Sequence, residues 1–185
     1  MVTWIILGIV VLAAVYGVAL YNKLVKNRQM VGEGWSGIDV QLKRRSNLIP
    51  NLLEAVKGYM SHERDTLEEV TALRAKAADA GNANPAERGK IEGQLSAALG
   101  KLFALAENYP DLKASQNFVD FQNSLEEVED QIQLSRRYYN GAVRNLNVAV
   151  ESFPSNLVAS SFKFEMAEYF ELDDPDDRAV PKVSF

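Results

Sequence analysis

Apolar residues along this chain recur at alternating spacings of three and four positions, the repeat expected for one buried face of an α-helix packed against other helices. The members of the first such stripe are Val31, Trp35, Ile38, Leu42, Ile49, Leu52, Val56 and Tyr59. The stripe continues more weakly through Leu67, Val70 and Leu73, and then meets turn-forming residues at 79–84. We therefore predict a long helical face that ends at a linker.

Pro50 lies inside this stripe but does not change its phase. A proline within a helix removes one backbone hydrogen bond and costs ~3 kcal/mol, so two arrangements are open. Either one long helix kinks at Pro50, or a helix ends near Arg45 and the next begins at once. In the second arrangement Asn47 is the cap and Pro50 lies in the first turn. Both arrangements present one continuous apolar face.

Two more helices and a short segment follow. Asn84, Pro85 and Glu87 form a helix start, with a capping side chain, proline at the first position and glutamate at the third. We expect that helix to end at Pro110 and a longer one to cover Asp111–Phe153. The seven-residue repeat of the longer helix is Phe118, Leu125, Ile132, Tyr139, Leu146 and Phe153. Pro154 is expected to stop it, and an amphipathic segment, 157–170, comes next.

These patterns predict an all-α fold, in which residues 23–171 form an elongated antiparallel bundle of long heptad helices. At ~1.5 Å per residue the 111–153 helix would be ~60 Å long, and the two shorter elements together nearly match it. Residues 172–185 are acidic and interrupted by proline, and we expect a surface tail there.

The segment Val2–Tyr21 contains twenty residues without a charge. A helix of that length covers ~30 Å, about the hydrocarbon thickness of a bilayer. We therefore predict a transmembrane anchor over residues 1–22, with Trp4 and Tyr21 in the two interfacial zones. A cleaved signal peptide is the rival interpretation, but no Lys or Arg precedes the apolar run, and the run is longer than usual.

The charge distribution predicts how this anchor is oriented. Residues 23–50 hold six Lys and Arg against two acids, giving +4, whereas the chain after Pro50 holds 14 against 23, giving −9. Lys23, Lys26 and Arg28 follow the span closely, so the positive-inside rule places the body in the cytoplasm. The same three cations are the candidates for contact with lipid headgroups.

A second candidate site is a polar seam within the apolar stripe. Arg45 falls at a seam position, Glu63 does so farther along, and Asp39 and Glu33 are near Arg45 in sequence. Buried charges are costly unless they are paired, so we expect a polar layer that fixes helix register. Pro50 beside it is a candidate hinge.

Catalytic and metal chemistry find little support in the sequence. The chain has no cysteine and one histidine, His62, so thiolate sites, HExxH zinc sites and paired Glu-x-x-His di-iron sites are excluded. The carboxylates at 126–130 are expected to form a solvated helix face. The net charge of −5 argues against nucleic-acid binding. We predict no cofactor, no metal site, no catalytic residue and no small-molecule substrate.

Several long stretches resemble the LemA family of bacterial membrane proteins. These are YNKLVKNRQMVGEGWSGIDVQLKRRSNLIPNLLEAVKGYMSHE, YPDLKASQNFVDFQNSLEEVEDQI, SRRYYNGAVRNLN and FPSNLVA. The resemblance implies a single-pass anchor in the bacterial inner membrane, a helical bundle and no enzyme activity, since the family has no established catalytic residues. Some magnetosome proteins resemble the same family. Gly32 and Gly34 stand where the family more often has better helix formers, at ~1 kcal/mol per glycine.

Three functions are therefore weighed. The first is a structural or scaffolding membrane protein that self-assembles as a homo-oligomer or holds partner proteins at the membrane. The second is an adaptor or sensor that couples a partner protein to the membrane through the polar seam and the Pro50 hinge. The third, an enzyme or metal protein, has the least support in the residues.

Overall fold

The computed structural model describes residues 1–171, and within that range the chain forms helices and no strand. The all-α prediction is confirmed. The α-helices are α1 Val2–Lys57, α2 Arg64–Asp79, α3 Pro85–Ala106, α4 Pro110–Lys113, α5 Gln116–Glu151 and α6 Ser155–Ser161. A 3-10 turn, Ala80–Asn82, follows α2. The predicted tail at 172–185 lies outside the described residues.

Helix α1 is continuous through Pro50, so the arrangement with a second helix capped by Asn47 is wrong. Near the N-terminus of α1, an 18-residue window has a mean hydropathy of 2.4 and none of it is buried. By length and composition it is the one helix of residues 1–171 that could cross a membrane. The predicted domain boundary at residue 22 stays a prediction.

The first helix ends earlier than the stripe predicted. Gly58 follows the last residue of α1, and the amides of Tyr59 and Met60 both bond to the carbonyl oxygen of Val56, at 3.0 and 2.9 Å. Met60 is fully buried while Tyr59 is 45% exposed, so the assignment of Tyr59 to the buried face is wrong. Alternating spacings of three and four do not reveal this break, because α2 resumes a similar apolar repeat after the turn.

The later helix boundaries are confirmed in part. The side chain of Asn84 accepts a bond from the amide of Glu87 at 2.8 Å, with Pro85 in the first turn of α3, as predicted. Pro110 opens the short α4, and the long helix starts at Gln116 instead of Asp111. The terminal segment is helical only over Ser155–Ser161. Phe153, expected in the buried repeat, is 79% exposed.

The contacts divide the chain into two compact units. Among the described residues, the first unit is 1–38 with 135–169, and the second is 39–134 with 170 and 171. One buried cluster of the first unit contains Leu24, Leu146, Ala149, Ala159 and Phe164. The buried core of the second unit is built mainly by Ile49, Leu52, Val56, Met60, Val70, Leu95, Leu102, Leu112, Phe118 and Leu125.

Helices α1 and α5 pack antiparallel within the first unit. The side-chain amide of Asn27 donates to the Asn145 carbonyl oxygen at 3.2 Å. Seven residues later on α1, Gly34 faces Tyr139, which is six residues earlier on α5. A Cβ added at Gly34 would lie 3.0 Å from the Tyr139 Cα, whereas one at Gly32 would meet nothing within 4 Å. Gly34 therefore allows a close helix approach, while Gly32 serves no such contact.

We expect opposite effects from substitutions at these two glycines. Gly32→Ala should raise the free energy of unfolding by ~0.5–1 kcal/mol through helix propensity. Gly34→Val should lower it by about 1–3 kcal/mol, because the side chain overpacks against the α5 backbone. Thermal unfolding of the full chain in mild detergent, followed by circular dichroism, measures both. A Gly34→Val protein as stable as the parent would contradict the close approach.

Candidate functional site: a membrane interface and a buried charge cluster

The residues predicted at the membrane interface all lie on α1 in the first unit. Trp4 is 77% exposed. The ring of Tyr21 packs against two phenylalanines, with centroids 4.8 Å from Phe162 and 5.8 Å from Phe164. The sequence does not indicate this aromatic group, because Tyr21 is more than 140 positions from both phenylalanines. Tyr21 is thus a packing residue of the first unit as well as the last residue of the apolar segment.

The three predicted lipid-facing cations differ in their surroundings. Lys23 and Lys26 are exposed. The guanidinium of Arg28, in contrast, lies over the Phe164 ring at 5.0 Å from its centroid, a cation–π geometry. Arg28 therefore contacts the protein as well as solvent. Lys23 and Lys26 are the better candidates for contact with lipid headgroups.

The non-helical chain after α6 is held on α5 by specific hydrogen bonds. Asn147 is buried, donates its Nδ2 to the Ala167 carbonyl oxygen at 3.0 Å and accepts from the Ala167 amide at 2.8 Å. The Tyr139 hydroxyl donates to the Glu168 carbonyl oxygen at 2.8 Å. Burial, together with the Glu168 charge, raises the pKa of Tyr139 to about 12. These bonds replace the backbone pairing that the predicted terminal helix would have supplied.

The polar seam of the second unit is built around Arg45, whose side chain is 1% exposed. Its Nη2 donates to Glu92 Oε2 at 2.5 Å and to the Glu92 carbonyl oxygen at 3.2 Å. Its Nη1 donates to Ser96 Oγ at 2.6 Å and to Glu129 Oε1. A helix α1 side chain is thus bonded to α3 and to α5 at once.

Arg88 extends this network along α3. Its Nε donates to Glu92 Oε1 and its Nη2 donates to Asp39 Oδ1, both at 3.3 Å. The other oxygen of Asp39 pairs with Lys43 at 2.8 Å. We refer to the whole set as the Arg45 cluster. Its members are Asp39, Arg45, Arg88, Glu92, Ser96 and Glu129.

Every carboxylate of the Arg45 cluster contacts a guanidinium, and Glu92 contacts two. The buried pair of Arg45 and Glu92 is stabilised only while both partners are present, since removing one leaves an uncompensated charge in the core. Two nitrogens, Arg45 Nε and Arg88 Nη1, are buried without a hydrogen-bond partner. The arrangement suits a structural layer that fixes which faces of three helices meet.

The structure brings together Asp39 and Arg45 but not the other residues expected in the seam. Glu63 lies in the turn before α2, where its Oε1 accepts from the Tyr109 hydroxyl at 3.0 Å. That hydrogen bond is the main reason that the pKa of Tyr109 is raised. Glu33 accepts from the Tyr138 hydroxyl at 3.1 Å. The helical seam position predicted for Glu63 is wrong, because α1 has already ended at Lys57.

Four members of the cluster were missed by sequence reasoning. These are Arg88, Glu92, Ser96 and Glu129. The first three are spaced four residues apart on α3, and this spacing indicates one polar face of that helix. Glu129 belongs to the carboxylates expected on a solvated helix face, yet it is only 33% exposed and contacts Arg45. Within residues 1–171, no group of three or more acids and histidines is placed to hold a metal ion.

The candidate hinge at Pro50 is compensated by a tertiary hydrogen bond. Proline has no amide hydrogen, so the carbonyl oxygen of Ser46, four residues earlier, loses its usual helical partner. Arg74 on α2 donates its Nε to that oxygen at 2.8 Å. A bond between helices thus replaces the one missing within α1.

Comparisons with known proteins agree on one family. The model described as the LemA family matches residues 34–185, so the apolar segment of α1 lies outside the match. The chain is 28% identical over 152 residues to Protein LemA of Metamycoplasma hominis, covering 81% of this chain and 68% of that protein. It is 26% identical over 175 residues to Magnetosome protein MamQ 2 of Paramagnetospirillum magneticum, covering 82% and 64%.

The Magnetosome protein MamQ of Magnetospirillum gryphiswaldense is 25% identical over 174 residues, which cover 81% of this chain and 64% of that protein. The chain therefore spans about two thirds of the length of these relatives.

We expect a large difference between neighbouring arginines. Arg45→Met should lower the free energy of unfolding by about 3–5 kcal/mol, because Glu92 then loses a buried partner. Arg44→Met should cost less than ~1 kcal/mol, since Arg44 and its partner Glu127 are 46% and 60% exposed. Denaturant unfolding in detergent measures both. Equal losses in the two variants would show that breaking the buried pair costs no more than breaking the exposed one, and would contradict the pairing of Arg45 with Glu92 in the core.

A double-mutant cycle tests the bond that compensates Pro50. Arg74→Met should destabilise the protein by about 1–3 kcal/mol, because the Ser46 carbonyl oxygen is left unpaired. In a Pro50→Ala background the restored amide can bond to that oxygen, so the same Arg74 substitution should cost clearly less. Additive losses in the denaturant unfolding of the four proteins would contradict the compensation.

Proposed function

This chain belongs to the LemA family, and we propose that it is a single-pass protein of the bacterial inner membrane whose helical body is a non-catalytic scaffold. In this proposal the body lies in the cytoplasm and either assembles with copies of itself or organises partner proteins at the membrane surface.

One observation carries the proposal. The apolar window of α1 has no protein cover, whereas the same helix continues without a break into two packed cores. Apolar surface of this extent is unfavourable in water, and a bilayer is the environment that matches a ~30 Å apolar helix. A continuous helix also links lipid and body without a flexible linker.

The organisation of the charged groups supports a structural role. The carboxylates of the Arg45 cluster are paired with guanidinium groups, and Arg45 and Glu92 are almost completely buried. Such a layer specifies helix packing better than it serves chemistry on a substrate. The MamQ relatives carry the magnetosome in their names, and this association supports an organising role at a membrane.

The orientation of the body rests on the cations that follow the span. Lys23 and Lys26 are exposed just after the apolar segment, and such residues favour the cytoplasmic side.

The adaptor remains the second candidate, and one feature favours it. Beside Pro50, helices α1 and α2 form an open groove of about 870 Å³ with a mainly apolar lining. Leu53 and Leu67 line it together with charged residues such as Glu54 and Arg64. An amphipathic helix of a partner protein would match a groove that combines a mainly apolar lining with charged side chains.

We expect the full chain, extracted in mild detergent, to have a native mass that is a fixed multiple of 20.6 kDa or a fixed complex with one partner. Light scattering measures the mass. Photo-crosslinking in the native membrane then separates the two roles. A probe at Leu53 should capture a partner if the groove is used, and a probe at the exposed Val40 serves as its control.

A single chain without defined crosslinks would contradict both roles. Pro50→Ala separates them further, because the adaptor requires this substitution to change partner capture more than stability. A scaffold formed by self-assembly requires the native mass of that variant to be unchanged.

A further inference from the structure

The region around α6 exposes three large apolar side chains in the first unit. Phe153 is 79% exposed, Leu157 is 58% exposed and Phe162 is 61% exposed. We call residues 152–163 the α6 turn. Single exposed apolar residues need no explanation, but a group within one turn is typical of an interaction surface. The buried face of the same turn is already satisfied, since Ala159 is 1% exposed in the core of the unit.

The α6 turn lies beside the point where the apolar segment of α1 ends. The rings of Tyr21 and Phe162 are 4.8 Å apart, and Ala159 shares a core with Leu24. The antiparallel register gives the same placement. Because Asn27 faces Asn145, six further residues in each direction bring Tyr21 level with Glu151, the last residue of α5.

The backbone of the turn fixes which side chains are exposed. Lys163 adopts a φ of 55°, the left-handed conformation that commonly ends a helix. The next amide, that of Phe164, bonds back to the Ala159 carbonyl oxygen at 2.9 Å. The chain therefore turns Phe164 into the core and leaves Phe162 outside, next to the charged Lys163.

The charges around the turn match a lipid surface. Around the turn and the end of the apolar segment, Lys23, Lys26, Arg28 and Lys163 stand against Glu151 and Glu165, giving +2. The exposed Lys23 and Lys26 follow the apolar segment directly, and Lys163 follows Phe162. Apolar rings flanked by lysines suit the headgroup region of an anionic bilayer. A second copy would bring the same net positive charge to this face, which disfavours it as the occupant.

We propose that the α6 turn is a second membrane contact, in which Phe153, Leu157 and Phe162 enter the headgroup and upper acyl region beside the exit of α1. The inference rests on the proposed function, since it requires α1 to span the bilayer. Its consequence is orientation. A span alone leaves rotation and tilt to be set by other contacts, and the α6 turn supplies one on the side where α5 packs.

The test uses single-cysteine variants, because the natural chain contains no cysteine. Phe153→Cys and Leu157→Cys are labelled with an environment-sensitive fluorophore and reconstituted in phosphatidylethanolamine and phosphatidylglycerol vesicles. Nitroxide lipids that quench at shallow depth are then added for positions 36, 153 and 157, and nitroxide lipids that quench at the bilayer centre are added for position 12. Ser36→Cys is the matched control in the same unit, since Ser36 is exposed and lies ~22 Å along α1 from Tyr21. Leu12→Cys reports the span.

Labels at 153 and 157 should show blue-shifted emission and lose most of their intensity to the nitroxide lipid, while the label at 36 is unchanged. Circular dichroism should match the parent, because both side chains are exposed. If the label at 12 is quenched and those at 153 and 157 behave like the label at 36, the span stands and the second contact is overturned.

Three other outcomes also decide the question. Equal quenching at 36, 153 and 157 would overturn the specific contact. A blue shift at 153 and 157 without quenching, and increasing with protein density, would assign the turn to a second copy. Absence of quenching at 12 would remove the proposed function itself, and the inference with it.

Discussion

Because α1 carries both the uncovered apolar segment and the buried faces of two cores, its uninterrupted backbone is the constraint on which the rest of the molecule depends. A helix in lipid must satisfy every backbone hydrogen bond within itself, and beyond the lipid it must still resist the defect introduced by Pro50. Arg74, on the neighbouring helix α2, donates a hydrogen bond to the Ser46 carbonyl oxygen and so replaces the bond that Pro50 cannot make. Helix α2 is thus tied to α1 at the position where α1 lacks a bond of its own.

We infer that the Arg45 cluster contributes to the choice of helix register more than to net stability. A buried ion pair is often no more stabilising than apolar residues of the same volume. It is favourable, however, only in the helix packing that brings all of its charged partners into contact. Arg45 contacts residues that are 47 and 84 positions away. A slip of any one of three helices by a turn would leave a charge unpaired in the core. This requirement selects one register among several that the regular apolar repeat would allow.

The charges of the chain are separated in a way that suits its proposed site. The first unit holds seven basic and four acidic residues, giving +3, whereas residues 39–134 hold 11 basic and 16 acidic residues, giving −5. The unit that contains the apolar segment is thus the one that anionic headgroups attract. The close approach at Gly34 belongs to the same unit. A residue that weakens the isolated helix is there because it lets α5 pack against α1.

What the sequence determined by itself was local. Twenty uncharged residues, the apolar repeat through Ile49, Leu52 and Val56, and the Asn84 cap depend on neighbours within a few positions, and such signals survive without knowledge of the fold. The tertiary structure decided the end of α1 at Lys57, the partners of Arg45, the replacement of the Pro50 hydrogen bond and the exposure of Phe153. Most of these depend on contacts between residues far apart in the chain. The end of α1 depends on a turn that the apolar repeat does not reveal, because spacings of three and four residues describe one long helix and two helices joined by a break equally well.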